Sequence, residues 1–293
     1  MACGKHQKLP PWIRIKVHAG AEREEVDSLL AQLGLNTVCA GAQCPNRAEC
    51  YHHRTATFMI MGNACTRNCK FCAIEHTSHP APLDPDEPAK VALAVEKLGL
   101  RYAVITCVTR DDLPDGGAAH FAETIKRIKA LPGDVKVEVL TSDLKGDVEA
   151  LKVVLEAGPA VFNHNIETVE RLSAEIRSKA TYRRTLEVLH NAAMLGNGIP
   201  VKSGLMVGLG ETDEEVEQTM RDLRDAGVNL LTIGQYLSPG GDHPPVERFV
   251  DPEKFEYWKT LGLQMGFAGV AAGPLVRSSY EAGKLFDNSD KNQ

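Results

Sequence analysis

The chain has 293 residues, 25% of them charged, and a net charge of −6. That length supports one large α/β domain or two small ones, and the acidic balance speaks against broad attraction to nucleic acid or to an anionic membrane. No apolar run approaches the roughly 20 residues needed to span a bilayer, and Met1 to Lys16 lacks the apolar core of a signal peptide. Eight cysteines without such a signal suggest metal ligation in a reducing compartment. The cytoplasm is the expected location, or a mitochondrion or plastid if a transit segment has been removed.

Residues 1 to about 20 read as an extended basic segment around Pro10-Pro11, and Cys3 carries no assignment. Glu22 to Leu33 sets Val26, Leu29, Leu30 and Leu33 on one helical face, and Gly34 ends the helix. Cys39, Cys44 and Cys50 follow at spacing C-x4-C-x5-C. After an apolar strand, Thr57 to Gly62, comes Cys65-Thr66-Arg67-Asn68-Cys69-Lys70-Phe71-Cys72, a second triplet at spacing C-x3-C-x2-C. Thiolates at this density bind soft metals, and iron–sulfur clusters are the usual occupants. Three cysteines leave one iron of a four-iron cluster open to a substrate, whereas four would close it for electron storage. A structural zinc would need a fourth ligand, which His76 or His79 could supply. Disulfides fit poorly, because three close cysteines cannot all pair. The strand between the triplets favours two separate clusters over one shared cluster. Cys107, in the apolar run Ala103 to Val108, reads as a small buried hydrophobe.

Beyond Cys72 the pattern alternates. Strands are predicted at Tyr102 to Val108, Val135 to Leu140, Val161 to Ile166, Val201 to Val207 and Leu230 to Tyr236. Helices are predicted at Ala89 to Leu98, Gly117 to Ala130, Val148 to Ala157, Val169 to Leu195 and Asp213 to Ala226, the last opened by an acidic first turn. Another helix-like segment runs from Phe255 to Phe267. Strands apolar on both faces and alternating with helices indicate a parallel sheet. Six β/α units are too few for a closed eight-stranded barrel, so a curved, partial (βα)6 barrel fits. In such barrels chemistry sits at the C-terminal ends of the strands. The second triplet, Arg110 to Gly117, Thr141-Ser142-Asp143, Asn163 to Glu167, Gly208 to Glu211 and Gln235-Tyr236 all fall there. His164 and His243 read as ordinary hydrogen-bonded histidines.

The triplet Cys65, Cys69, Cys72 after a first strand resembles the signature of the radical S-adenosylmethionine (SAM) superfamily, whose members usually adopt this α/β fold, a partial (βα)6 TIM-like barrel. The resemblance implies that the open iron chelates SAM and that one electron splits it into methionine and a 5′-deoxyadenosyl radical. Gly116-Gly117 resembles the glycine pair that brings backbone acceptors to the SAM amino group. Gly204-Leu205-Met206-Val207-Gly208-Leu209-Gly210-Glu211 resembles the G-x-I-x-G-x-x-E stretch that supports the adenine, with Met206 in place of isoleucine. Glu167 is expected at the ribose hydroxyls and Arg177 at the SAM carboxylate. Asp143, Asn165 and Tyr236 complete the expected cofactor contacts.

The pairing of C-x4-C-x5-C with C-x3-C-x2-C, followed near the C-terminus by Arg277-Ser278-Ser279-Tyr280, is similar to the lipoyl synthase family. Asp112 to Gly117, Asn165 to Thr168 and Gly234 to Leu237 also look like that family, and the resemblance runs from about residue 35 to about 282. It implies a second, auxiliary 4Fe–4S cluster on Cys39, Cys44 and Cys50, with a serine oxygen as fourth ligand. That serine is expected to be Ser279, with Ser278 as the second choice. A serine alkoxide is a hard ligand for iron and easier to displace than a thiolate, which suits a cluster consumed as the sulfur source. The implied substrate is an octanoyl chain on a lysine of a lipoyl carrier domain, from a 2-oxoacid dehydrogenase E2 component or a glycine-cleavage H-protein. Carbons 6 and 8 each lose a hydrogen to one SAM and gain a sulfur. A ferredoxin or flavodoxin as electron donor and an iron–sulfur carrier for rebuilding the cluster are the other implied partners. The organisation expected is a 1–54 extension carrying the auxiliary triplet, a 55–250 barrel, and a 251–293 extension carrying the serines, both extensions folding over the open top. The alternatives are another sulfur-inserting radical SAM enzyme, a non-enzymatic iron–sulfur carrier or electron-transfer protein, and a structural zinc module.

Overall fold

The computed structural model describes residues 8–15 and 20–290. Cys3 and part of the basic N-terminal segment lie outside the described residues. Eight strands form one sheet in the order β1 (Asn36–Thr37), β2 (Thr57–Ile60), β3 (Tyr102–Cys107), β4 (Lys136–Leu140), β5 (Val161–Asn163), β6 (Val201–Val207), β7 (Leu230–Gln235) and β8 (Gly269–Gly273). Only β1 runs antiparallel to its neighbour; every other pair is parallel. The two edge strands do not pair with each other, so the sheet is an open, partial barrel. The connecting helices Glu87–Leu98, Ala118–Lys129, Val148–Glu156, Tyr182–Leu195 and Asp213–Asp225 each bury one face, as their apolar spacing dictates. Among the described residues, no helix is long and apolar enough to cross a membrane.

Local chemistry fixes the ends of these elements. The helix Ala21–Leu33 stops at Gly34, whose φ of 64° is left-handed. Thr212 opens Asp213–Asp225 with a capping box in which Glu215 reciprocates. The predicted strand boundaries hold to within one residue for β3, β4, β6 and β7, and β2 stops at Ile60, two residues short of Gly62.

Three features depart from the sequence reading. The helix predicted from Val169 to Leu195 is two helices, Glu170–Ile176 and Tyr182–Leu195. Arg177 leaves helical geometry at φ −104°, ψ 127°, Lys179 is left-handed at φ 60°, and Thr181 starts the second helix by accepting from the Arg184 amide. β5 ends at Asn163 rather than Ile166; the chain rejoins the sheet through a single bridge from Glu167 to Leu205, with Glu167 left-handed at φ 67°. A seventh parallel strand, β8, lies beyond the six units. Its Gly-Val-Ala-Ala-Gly sequence carries little strand preference, but it zips in register along β7 from Gly269 opposite Leu230 to Gly273 opposite Gly234.

Candidate active site

A cavity of about 1220 Å³ opens at the C-terminal ends of the strands. Cys65, Cys69 and Cys72 line it beside β2, Cys39 and Cys44 reach it from the N-terminal side, and Val276 to Ser279 reach it from the C-terminal side. Cys50 is not itself on the wall; burial, then the neighbouring Cys39 and Cys44, push its thiol up to about 12.

The loop Cys65 to Cys72 is held by its own polar residues. The Thr66 amide and hydroxyl both donate to the Thr109 carbonyl, and the Asp111 amide donates back to that hydroxyl. Arg67 is buried; its guanidinium makes a bidentate pair with Asp111 at 2.9 and 2.8 Å and reaches Asp143 at 2.6 Å. Backbone amides then point at sulfur. Arg67 and Thr109 donate to Cys65 Sγ at 3.4 and 3.3 Å, and Ser178 donates to Cys69 Sγ at 3.4 Å. Such donors favour the thiolate form that a soft metal cluster requires. Burial works the other way and, with the charges of Cys69 and Cys65, pushes the Cys72 thiol up to about 12. The helix break at Arg177 is what puts Ser178 against Cys69. Among the described residues, no three His, Cys, Asp or Glu side chains gather as around a single ion, and His76 turns Nδ1 to the Cys65 carbonyl at 3.2 Å.

The auxiliary triplet and the serine motif are stitched together across the whole length of the chain. Asn46, buried between Cys44 and Cys50, donates Nδ2 to the Leu275 carbonyl at 2.7 Å, and the Tyr280 hydroxyl meets Glu49 at 3.2 Å. Ser278 Oγ lies 2.7 Å from Asn165 Nδ2 and 2.9 Å from Asn165 Oδ1. Ser279 lines the cavity, and among the described residues nothing hydrogen-bonds its hydroxyl. Two glycines on neighbouring strands make room for this segment. A Cβ at Gly234 would sit 2.2 Å from the Val276 carbonyl oxygen, and one at Gly204 would sit 3.0 Å from Ser278 Oγ.

Of the expected SAM contacts, Asp143, Asn165, Glu167, Arg177, Gly204, Met206 and Tyr236 line the cavity, whereas Gly116, Gly117 and Gly208 do not. Gly116-Gly117 instead open the helix Ala118–Lys129 at φ 61° and 92°, and a Cβ on Gly117 would strike the Met61 sulfur at 2.1 Å. Gly208 and Leu209 donate their amides to Glu211. Asp143 is committed to Arg67, to Arg184 and to capping the Lys145 amide; burial pushes its carboxyl up, but Arg67 overrides this and holds it at about 2. Burial pushes the Glu167 carboxyl up, against the Arg177 charge and an Asn165 hydrogen bond. Arg177 spends Nη1 on the Ile166 carbonyl and the Thr185 hydroxyl. Arg67 and Asn46 carry no role in the sequence reading, their only sign being a position inside the cysteine motifs, and Gly234 reads only as the start of a family-like stretch.

A partial barrel whose first strand feeds three thiols into a cavity defines a class. The Radical SAM superfamily profile matches residues 59–223, more than half of the chain, and the chain belongs to that superfamily. Solved structures of a methylornithine synthase (TM-score 0.57, 16% identity, 91% of this chain and 80% of that one) and of a maturase of the FeFe-hydrogenase (TM-score 0.57, 18% identity, 72% and 50%) share the fold. Within the superfamily the chain belongs to the lipoyl synthase family. It is 53% identical over 94% of its length to the lipoyl synthase of Caldanaerobacter subterraneus, covering 96% of that protein. It is 54% identical to that of Rubrobacter xylanophilus (95% and 86%) and 48% identical to the chloroplastic lipoyl synthase of Arabidopsis thaliana (95% and 72%).

Proposed function

We propose that this enzyme inserts two sulfur atoms, at C6 and C8, into an octanoyl chain carried on a lysine of a lipoyl carrier protein. One observation carries the residue assignment. A single cavity is lined by Cys65, Cys69 and Cys72, by Cys39 and Cys44 of the other triplet, and by the serine motif, brought together from opposite ends of the chain. Cys65, Cys69 and Cys72 hold the first 4Fe–4S cluster. Cys39, Cys44, Cys50 and Ser279 hold the auxiliary one. When bound, the first cluster with SAM supplies the 5′-deoxyadenosyl radical, and the auxiliary cluster supplies sulfur.

The chain's own part is to position, shield and hold charge. C6 and C8 are unactivated carbons that no side-chain base can deprotonate, so the hard chemistry is the cofactor's. Arg67, pinned by Asp111 and Asp143, fixes the loop that carries the first cluster. Glu167 and Arg177 bind SAM through its ribose hydroxyls and carboxylate, and Met206 and Tyr236 flank it with Gly204 and Asn165. Gly116-Gly117 act from behind the wall, by shaping the loop that follows β3. The expectation that both extensions of the 55–250 barrel fold over its open top holds only in part. Cys39 and Cys44 and the Val276 to Ser279 segment border the cavity and shield the acyl chain from water. The last helix, Ala282–Asp290, packs instead at the opposite, N-terminal ends of the strands, with Phe286 against Tyr102 and Leu285 beside Gly269. A ferredoxin or flavodoxin donates the electrons, an iron–sulfur carrier rebuilds the consumed cluster, and the carrier domain is the E2 or H-protein type. We place the enzyme in the cytoplasm, a reducing compartment suited to thiolate clusters.

The test is anaerobic. The protein is reconstituted with iron and sulfide, reduced, and given SAM and an octanoyl-lysine peptide. A peptide that gains two sulfurs as about two 5′-deoxyadenosines form per product, as family stoichiometry requires, supports the reading. SAM cleavage with no sulfur gained would sink the substrate assignment.

A further inference from the structure

Beneath the serine motif the barrel interior carries charge. Glu138 on β4 and Lys202 on β6 have fully buried side chains and pair at 2.8 Å. Glu138 also accepts the Tyr102 hydroxyl at 2.7 Å and the Asn163 amide at 3.1 Å. Lys202 Nζ also donates to the main-chain carbonyl of Ser278 at 2.6 Å. Glu138 and Lys202 do not line the cavity. A buried ion pair is a poor source of stability, because desolvation offsets its attraction and an apolar pair often does as well. An apolar pair, however, could not grip a carbonyl. Here Lys202 Nζ, oriented by Glu138, grips the carbonyl of the peptide that leads into Ser279. Asn165 grips the Ser278 hydroxyl from the other side, and Gly204 and Gly234 leave space for the segment to lie flat.

We propose that Lys202, with Glu138, is a positioning residue for the Ser279 ligand: it fixes the Ser278 carbonyl and thereby sets how readily iron leaves the auxiliary site. This rests on the reading of Ser279 as a ligand of the auxiliary cluster. The role differs from simple stabilisation in one measurable way. It acts only through Ser279, so its loss has nothing further to change once that hydroxyl is gone.

The test uses a background in which Cys65, Cys69 and Cys72 are Ala, so that bound iron reports the auxiliary site alone. After anaerobic reconstitution, the rate at which a ferrous chelator extracts iron is followed, together with the unfolding midpoint of the metal-free chain. Neutralising the pair together, with Glu138→Gln and Lys202→Met, should speed extraction about tenfold, the low end of what loss of a group behind a metal ligand usually costs. Lys202→Arg should restore a rate within about threefold of the parent, since it keeps a charged donor at the site. Ser279→Ala should speed extraction by itself, and adding the neutralised pair to it should have no further effect. Additive effects, or an unchanged rate in a folded neutralised variant, would overturn the proposal. If the neutralised pair does not fold, Lys202→Gln carries the same cycle, because it still faces Glu138 but falls short of Ser278; a parental rate there would also overturn it. If Ser279→Ala alone leaves extraction unchanged, the ligand reading falls, and the role of Lys202 falls with it.

Discussion

The side-chain amide of Asn46 donates to the main-chain carbonyl of Leu275 at 2.7 Å, across 229 residues of sequence. Asn46 stands between two cysteines of the auxiliary triplet, and Leu275 stands three residues before Ser278. Asn46→Ala leaves every proposed ligand in place and removes only the stitch. The partly buried carbonyl then loses its partner, at a cost of about 1–2 kcal/mol. Denaturant unfolding should show that loss, and iron at the auxiliary site should fall while SAM cleavage persists. Unchanged auxiliary iron would mean that the two ends of the chain find each other without it.

Gly234→Ala tests the floor under the serine segment. Its Cβ would lie 2.2 Å from the Val276 carbonyl oxygen, and main chain cannot rotate aside as a flexible side chain can. Overpacking of this kind costs about 1–3 kcal/mol. The expected outcome is a folded protein that cleaves SAM but inserts little sulfur, read from 5′-deoxyadenosine and peptide mass in one assay.

The two serines separate by what holds them. Ser278 Oγ is already engaged by Asn165, so Ser278→Ala should cost about 1 kcal/mol of stability, the worth of an ordinary hydrogen bond, and keep the auxiliary cluster. Ser279→Ala should lose auxiliary iron about tenfold faster. Ser279→Cys should hold iron more firmly, because thiolate is the softer ligand, and insert sulfur more slowly. Iron analysis and sulfur insertion on the three variants check this; cluster loss in Ser278→Ala instead would exchange the roles.

His164 gives a pH dependence with a definite sign. Arg177 donates to Thr185 Oγ1 at 2.7 Å, so the Thr185 hydrogen goes to His164 Nε2 at 3.2 Å, and His164 Nδ1–H donates to the Thr141 carbonyl at 2.9 Å. That arrangement needs a neutral ring, and burial with the Arg177 charge pushes its pKa down to about 4. Below its ordinary value of about 6.5 the unfolded chain takes up a proton that the folded chain refuses until about 4. Stability is therefore present above pH 6.5 and lost as pH falls through that window, by an amount on the order of 3 kcal/mol. Urea unfolding at pH 7 and pH 5 should show a smaller difference in His164→Gln than in the parent. Asp143 acts lower: its carboxyl is held at about 2, so its contribution persists through this window and goes only at stronger acid.

What the sequence made legible was whatever carries a period or a spacing. The six β/α units followed from apolar runs alternating with helical faces, and β6 was placed to the residue. The cysteine spacings and the Arg-Ser-Ser-Tyr motif gave the candidate ligands. What stayed hidden depends on distance through space. Lys202 and Glu138 sit in strands where a charged residue reads as facing solvent, and only the curvature of the open sheet turns both inward onto each other. The strand β8 is too poor in β-branched residues to announce itself and forms because β7 offers an edge. The helix break at Arg177 lies inside an unbroken apolar period, and Thr181 as a cap was its one local sign. The cofactor contact expected of Gly116-Gly117 came from a family resemblance, and packing against Met61 gives Gly117 a further reason to be small.

The central claim is that the sulfur delivered comes from the group held by Cys39, Cys44, Cys50 and Ser279. The most direct measurement is a single turnover with protein reconstituted using sulfide enriched in the heavy isotope sulfur-34, followed by mass analysis of the peptide. Two heavy sulfurs in the lipoyl product, and none when Cys39, Cys44 and Cys50 are Ala although 5′-deoxyadenosine still forms, is the predicted result. Heavy sulfur in the product of that triple variant, or unlabelled sulfur in the product of the intact protein, would contradict it.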